Sequence, residues 1–234
     1  MANVLMLTPA PLSIVFAILG GIVPTLVWLW FWLREDQKHP EPNRLLLISF
    51  LLGMLAVPLA IPLEQLIAHF VSVPLLVFFG WSLIEEILKY AAAYFGGMHT
   101  RAEDEPIDAM IYLITAALGF AAAENTLFVL QPILTGDIFT GLVTLNIRFM
   151  GTTLLHILSS SMIGAALAFS FYKSQRIRHE FLLVGCILAI VLHALFNFLI
   201  LHAGSQGVFV IFICIWTLII VLLLLFERIK RIRQ

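Results

Sequence analysis

Charge is what this chain has least of. Lys, Arg, Asp and Glu together make up 12% of its 234 residues, against 62% apolar residues, and the mean hydropathy is +1.05. A soluble domain carries about 25% charged residues, so this scarcity excludes a water-soluble fold. No segment is long and polar enough to form a soluble domain of its own. Cysteine is nearly absent too: Cys186 and Cys214 both fall in apolar runs. They read as small hydrophobes and exclude a disulfide framework. The N-terminus lacks the basic region of a signal peptide, so the first hydrophobic stretch is expected to be retained. There is no H-E-x-x-H, which excludes an ordinary zincin. No internal repeat is evident, which counts against a transporter built from inverted halves. With a net charge of -1, no nucleic-acid partner is expected.

What is there is hydrophobic run after hydrophobic run. Seven spans are predicted, at 11–33, 45–69, 73–97, 107–132, 145–172, 181–202 and 207–226. Each is close to the ~20 residues that cross about 30 Å of hydrocarbon, and the longer ones can tilt. The expected fold is an all-α, polytopic transmembrane bundle forming one integral-membrane domain over residues 1–234. Basic residues orient it. Arg34, Lys38 and Arg44, then Arg101, then Lys173, Arg176 and Arg178, then Arg228, Lys230, Arg231 and Arg233 fall in segments on one face of a seven-span chain. The loops of the opposite face carry no Lys or Arg. The positive-inside rule makes the basic face cytoplasmic, with the N-terminus outside and the C-terminus inside. The basic tail anchors that topology or binds anionic headgroups.

Ionisable residues inside the spans are costly and mark function by default. The third span carries Glu85, Glu86 and Lys89. The fourth carries Glu124 and Asn125, with Asp108 at its cytoplasmic end. The fifth carries Arg148 and His156, and the sixth His193 and Asn197. Glu85 and Lys89 are i,i+4 and share a helix face, as do His193 and Asn197. Adjacent Glu85 and Glu86 point about 100° apart. One is expected to face the reaction centre, with a marginal preference for Glu85, while the other takes a structural partner such as Lys89 or Arg148. At ~1.5 Å per residue, Glu85 lies ~18 Å and His156 ~16 Å from the outer ends of their spans. Glu124 lies ~25 Å and His193 ~18 Å from the cytoplasmic ends. Four helices thus bring ionisable groups to similar depth.

Glu124, His156 and His193 offer the two-histidine, one-carboxylate set of a catalytic zinc site. Glu85 or Glu86 then serves as general base toward water. Asn197 donates to an oxyanion or orients His193. In a metal-free version a glutamate activates water directly, with histidine and asparagine stabilising the oxyanion. Both versions hydrolyse a peptide bond inside the membrane. The competing reading is a proton-coupled transporter using the Glu/His cluster as a relay. Asn125 serves as helix–helix glue or as support for the site. Arg148, near the outer end of its expected span, is placed to snorkel. Ser159, Ser160 and Ser161 are expected to let helices approach closely.

E-E-I-L-K (Glu85, Glu86, Lys89), G-F-A-A-A-E-N (Gly119, Phe120, Glu124, Asn125), His156 and H-A-L-F-N (His193, Asn197) together resemble the PrsW family of intramembrane proteases. That family is similar to the CAAX prenyl endopeptidases and bacteriocin-processing enzymes. The resemblance covers 84–197, about half the chain. It implies a multi-spanning protease of the bacterial cytoplasmic membrane with a catalytic core over about 73–202. Its substrate would be a membrane-tethered protein, since PrsW-type members make the first cut in an anti-sigma factor during stress signalling. The family is usually classed with metalloproteases, which implies zinc. Carried over, Glu85 and Glu86 are catalytic, and Glu124, His156 and His193 complete the site. The chain departs from the CAAX relatives in having Glu124 where they resemble F-x-x-x-H, and Lys89 where they carry arginine. It departs from many PrsW-like sequences in having Asn197 where they have aspartate. These departures argue against prenylated substrates, not against hydrolysis.

Overall fold

A computed structural model describes residues 10–36 and 39–232. Lys38 and Arg233 of the basic segments lie outside the described residues. Eight α-helices and no strand occur among them: α1 (Ala10–Glu35), α2 (Asn43–Phe70), α3 (Pro74–Ala93), α4 (Asp108–Leu134), α5 (Ile138–Ile147), α6 (Thr153–Phe169), α7 (Gln175–His202) and α8 (Ser205–Ile229). π-helical turns follow α3 (Tyr94–Met98) and join α5 to α6 (Arg148–Thr152). The second makes α5 and α6 one rod of 32 residues, Ile138–Phe169.

Six of the resulting rods are long and apolar enough to cross a membrane. The seventh is α3, 20 residues long, which carries three ionisable residues. It runs antiparallel along the whole of α2: Gly80 meets Ile67, Trp81 Nε1 donates to the Glu64 carbonyl (2.9 Å), and Gly96 meets Ser49. The chain is an all-α, polytopic membrane protein. Its outward faces are apolar throughout, as on α8, where Phe209 and Leu224 are each 68% exposed. A surface of that kind is stable against hydrocarbon and costly against water.

The fifth rod starts earlier than the span expected at 145–172. Gly136, at φ +86°, turns the chain, and Asp137 caps α5 by accepting from Thr140 N (3.0 Å). Arg148 therefore sits more than two turns inside the rod and is buried rather than snorkelling. The sixth span, expected from 181, starts at Gln175, so most of the basic segment 173–180 is helical. Cys186 is half-buried and Cys214 exposed; both are free.

α4 is the central helix, packed on α1, α2 and α6, and every residue from Asp108 to Ala122 is buried. Small residues make that possible. A Cβ on Gly53 would lie 2.1 Å from the Ala116 carbonyl oxygen, and one on Gly119 2.0 Å from that of Phe50. Membrane helices pack through such positions because close backbone approach supplies the dispersion energy that the hydrophobic effect does not.

At the loop end of α4, Asp36, Glu41 and Asp108 are all buried. Tyr112 Oη donates to Glu41, and Asp108 Oδ2 accepts from the backbone of Asp104 (2.9 Å) and Glu105 (2.6 Å). Burial, reinforced by the Asp108 and Glu105 carboxylates, pushes Asp36 up to about 7. Burial likewise pushes Glu41 up to about 8, against the opposing hydrogen bond from Tyr112.

Candidate active site

The paired glutamates of α3 are buried and point different ways, as 3.6 residues per turn requires. Glu86 is held through both oxygens. Its Oε1 accepts from Lys89 Nζ (2.6 Å), His193 Nδ1 (2.7 Å) and Ser159 Oγ (2.8 Å), and its Oε2 from Ser160 Oγ (3.1 Å). A carboxylate has about four lone-pair sites, so Oε1 is fully occupied and Oε2 is held by Ser160. Glu85 differs: its Oε2 is buried and accepts no hydrogen bond from the described residues. That oxygen lies 3.6 Å from Lys89 Nζ, 3.8 Å from His156 Nδ1 and 3.7 Å from His193 Nε2.

Each histidine is held by a glutamate through one ring nitrogen. His193 gives its Nδ1–H to Glu86, which leaves the Nε2 lone pair facing Glu85. His156 Nε2 meets Glu124 Oε2 at 2.9 Å, and its Nδ1 meets Lys89 Nζ at 3.0 Å. An ammonium only donates, so Nδ1 accepts from Lys89 and the Nε2–H is given to Glu124. The two rings stand edge to face, 5.2 Å apart. Lys89 is fully buried and also lies over the Phe120 ring, 5.0 Å from its centroid.

Glu124 is held in turn by Arg148 Nη2 (2.7 Å). Arg148 Nε donates to Asn125 Oδ1 (2.6 Å), and Asn125 Nδ2 to Thr153 Oγ1 (3.1 Å). The π-helical turn that begins at Arg148 lies beside this network, a place where such turns are frequent. Asn197, one turn beyond His193, lines a cavity of about 460 Å³ together with Glu64, Glu85, Glu124, Arg148, His156 and His193. The remaining wall is apolar and aromatic, including Phe78, Trp81, Phe120, Phe128 and Phe196.

Every site residue named from the sequence thus belongs to one cluster or to the cavity beside it. The ligand set is arranged differently from the expectation. Glu85, His156 and His193 each present a ligand atom within 4.8 Å of the others, whereas the expected carboxylate, Glu124, grips the far nitrogen of His156. Helix phase decides this, and spacing within one helix does not report how another helix is rotated. Ser159, Ser160 and Thr153 of the network, and Glu64 in the cavity wall, were not anticipated. Ser159 and Ser160, expected only to ease packing, donate to Glu86; their position one turn after His156 was the available signal. Glu64 is an ionisable residue inside the second predicted span, which was signal enough.

Residues 41–225 match the family described as PrsW family intramembrane metalloprotease. The chain belongs to the PrsW family. It is 27% identical over 194 residues to the Protease PrsW of Geobacillus kaustophilus, covering 80% of this chain and 81% of that protein. It is 25% identical over 203 residues to the Protease PrsW of Bacillus subtilis (83% and 87%) and 25% identical over 194 residues to that of Clostridioides difficile (77% of each). No solved structure matches. As a PrsW-family member the chain is an intramembrane peptidase, a multi-pass protein of the bacterial cytoplasmic membrane with a protein substrate.

Proposed function

We propose that Glu85 is the general base with which this PrsW-family protein hydrolyses a peptide bond of a membrane-tethered, single-span protein. The observation that supports it most is the contrast within the acid pair: Glu86 accepts from four donors, and Glu85 Oε2 from none among the described residues, while Glu85 lines the cavity. Glu85 takes a proton from water as the water oxygen adds to the scissile carbonyl carbon. The carbon–nitrogen bond then breaks as the nitrogen receives that proton, leaving a carboxylic acid and an amine. Asn197 is the donor nearest in sequence to His193 on this wall and stabilises the developing oxyanion. Glu86 and Glu124 position His193 and His156, and Lys89 and Arg148 neutralise them. Asn125 fixes Arg148.

The residues present fit a divalent metal. Within the cluster Glu85, Glu86 and Glu124 face only Lys89 and Arg148, so negative charge exceeds positive charge in a site surrounded by hydrocarbon. A bound cation or a proton offsets that excess. Glu85, His156 and His193 would hold zinc, with Glu86 and Glu124 orienting the histidines from behind; Lys89 would then release His156 Nδ1, and Glu85 would act as a ligand in place of general base. Zinc there would supply Lewis acidity toward water and the carbonyl. The ligand set of Glu124, His156 and His193 is the alternative.

Co-expression with a tethered single-span reporter, an anti-sigma factor first, tests the function. Wild type is expected to cleave it, and Glu85→Gln and His193→Ala to leave it intact. Unchanged cleavage in both variants would remove this site. Metal analysis of purified protein is expected to show one zinc, lost in Glu85→Ala and retained in Glu124→Gln; the reverse pattern favours the alternative set. The catalytic core of about 73–202, extended by Glu64 of α2, sits in one membrane domain whose basic loops place the C-terminus in the cytoplasm. A transporter relay fits less well, because the cluster is closed by ion pairs and the chain has no repeat to alternate.

A further inference from the structure

Glu64 is the ionisable residue of the cavity that the hydrolytic network leaves out. It lies on α2, across the cavity from the histidines of α6 and α7. Its backbone carbonyl accepts from Trp81 Nε1 (2.9 Å). Its carboxylate has no hydrogen bond and no ion pair among the described residues, whereas Glu85, Glu86 and Glu124 all face cations within 4.0 Å. At ~1.5 Å per residue it stands ~9 Å from the end of α2 at Phe70, and Asn197 ~8 Å from the end of α7 at His202. Both therefore lie toward the same mouth of the cavity. Aromatic side chains (Phe78, Trp81 and Phe128) line the cavity around them.

We infer that Glu64 is a specificity-determining residue that receives a lysine or arginine side chain of the substrate beside the scissile bond. This rests on the proteolytic reading above. An unpaired carboxylate at this depth is costly, and a cationic side chain arriving from the substrate supplies the missing partner. The aromatic lining suits such a side chain, taking its methylene stem and facing its charge with ring surfaces. The network keeps its own charges occupied, so Glu64 is the group left to select.

The test uses the full-length protein and a single-span reporter that it cleaves. Once mass spectrometry has located the cut, the residues flanking it are replaced one at a time by Lys, Gln or Glu. At one position Lys is expected to exceed Gln in kcat/KM by roughly tenfold or more. Glu64→Gln should bring that ratio to about one, Glu64→Asp should restore it, and Glu64→Lys should invert it in favour of Glu. Because the Trp81 bond goes to the backbone of residue 64, these variants leave the α2–α3 contact in place. An identical ratio in wild type and Glu64→Gln overturns the inference, as does an equal loss for every reporter, which would put Glu64 in the hydrolytic step. Cleavage that persists in Glu85→Gln removes the general-base reading instead, and the inference falls with it.

Discussion

On the proposed reading, Ser159 and Ser160 act on the reaction without touching substrate. They supply two of the four donors to Glu86, and Glu86 sets the tautomer of His193. Replacing both by alanine leaves His193 with a looser partner. Cleavage should fall roughly ten- to hundredfold, the usual cost of removing such support, with kcat affected more than KM in steady-state assays. Arg148 and Glu124 form the other half of the support. Arg148→Gln strands a largely buried carboxylate and should cost about 3 kcal/mol. Adding Glu124→Gln should recover part of that loss in thermal unfolding in detergent, though not the activity. The identity of Glu124 was legible in sequence because an ionisable residue inside a span has few harmless explanations. Its pairing was not legible. Whether Glu124 meets a lone pair of His156 or the nitrogen behind it depends on the rotation of α4 against α6.

Among the helices, α4 is the one whose packing the site depends on, and its tightest contacts are with α2. Gly53 and Gly119 each bring a carbonyl oxygen to about the position a Cβ would occupy. Backbone cannot move aside as a flexible side chain can. Gly53→Ala or Gly119→Ala should therefore destabilise the protein by about 3 kcal/mol or more, read as a fall in melting temperature. The resulting shift of α4 should carry Glu124 and Asn125 with it and lower cleavage as well. Helix number and order were readable from hydropathy alone, because each span must satisfy its backbone internally. Helix ends were less so. Asp137 starts α5 a full two turns before the expected boundary, and the π-helical turn at Arg148 has no hydropathy signature.

Taken whole, the molecule separates two acidic regions: the Glu/His cluster within the bundle and the Asp36, Glu41 and Asp108 cluster at its basic-loop end. In the second, Asp36 at about 7 and Glu41 at about 8 lie above their ordinary values of 3.8 and 4.5. The folded state therefore holds protons that the unfolded chain releases. Their contribution to stability is fully present below about pH 4 and is lost as the pH rises through about 7 and then 8. The melting temperature should fall between about pH 4 and pH 8, and the paired substitution Asp36→Asn with Glu41→Gln should flatten that slope. A slope that survives the substitution would place its origin elsewhere.

Composition and periodicity by themselves determined that this chain lives in the membrane as a helical bundle, because hydrocarbon admits no unpaired backbone. They also pointed to most of the ionisable residues that the fold gathers into one cluster, because the bilayer makes each buried charge expensive enough to need a reason. Tertiary structure alone decided the division of labour: Glu86 held and Glu85 open, Glu124 behind His156, and Glu64 without a partner. Those facts depend on how four helices are rotated about their axes. That rotation is settled by contacts between residues far apart in the chain, such as Gly53 with Ala116 and Glu86 with His193.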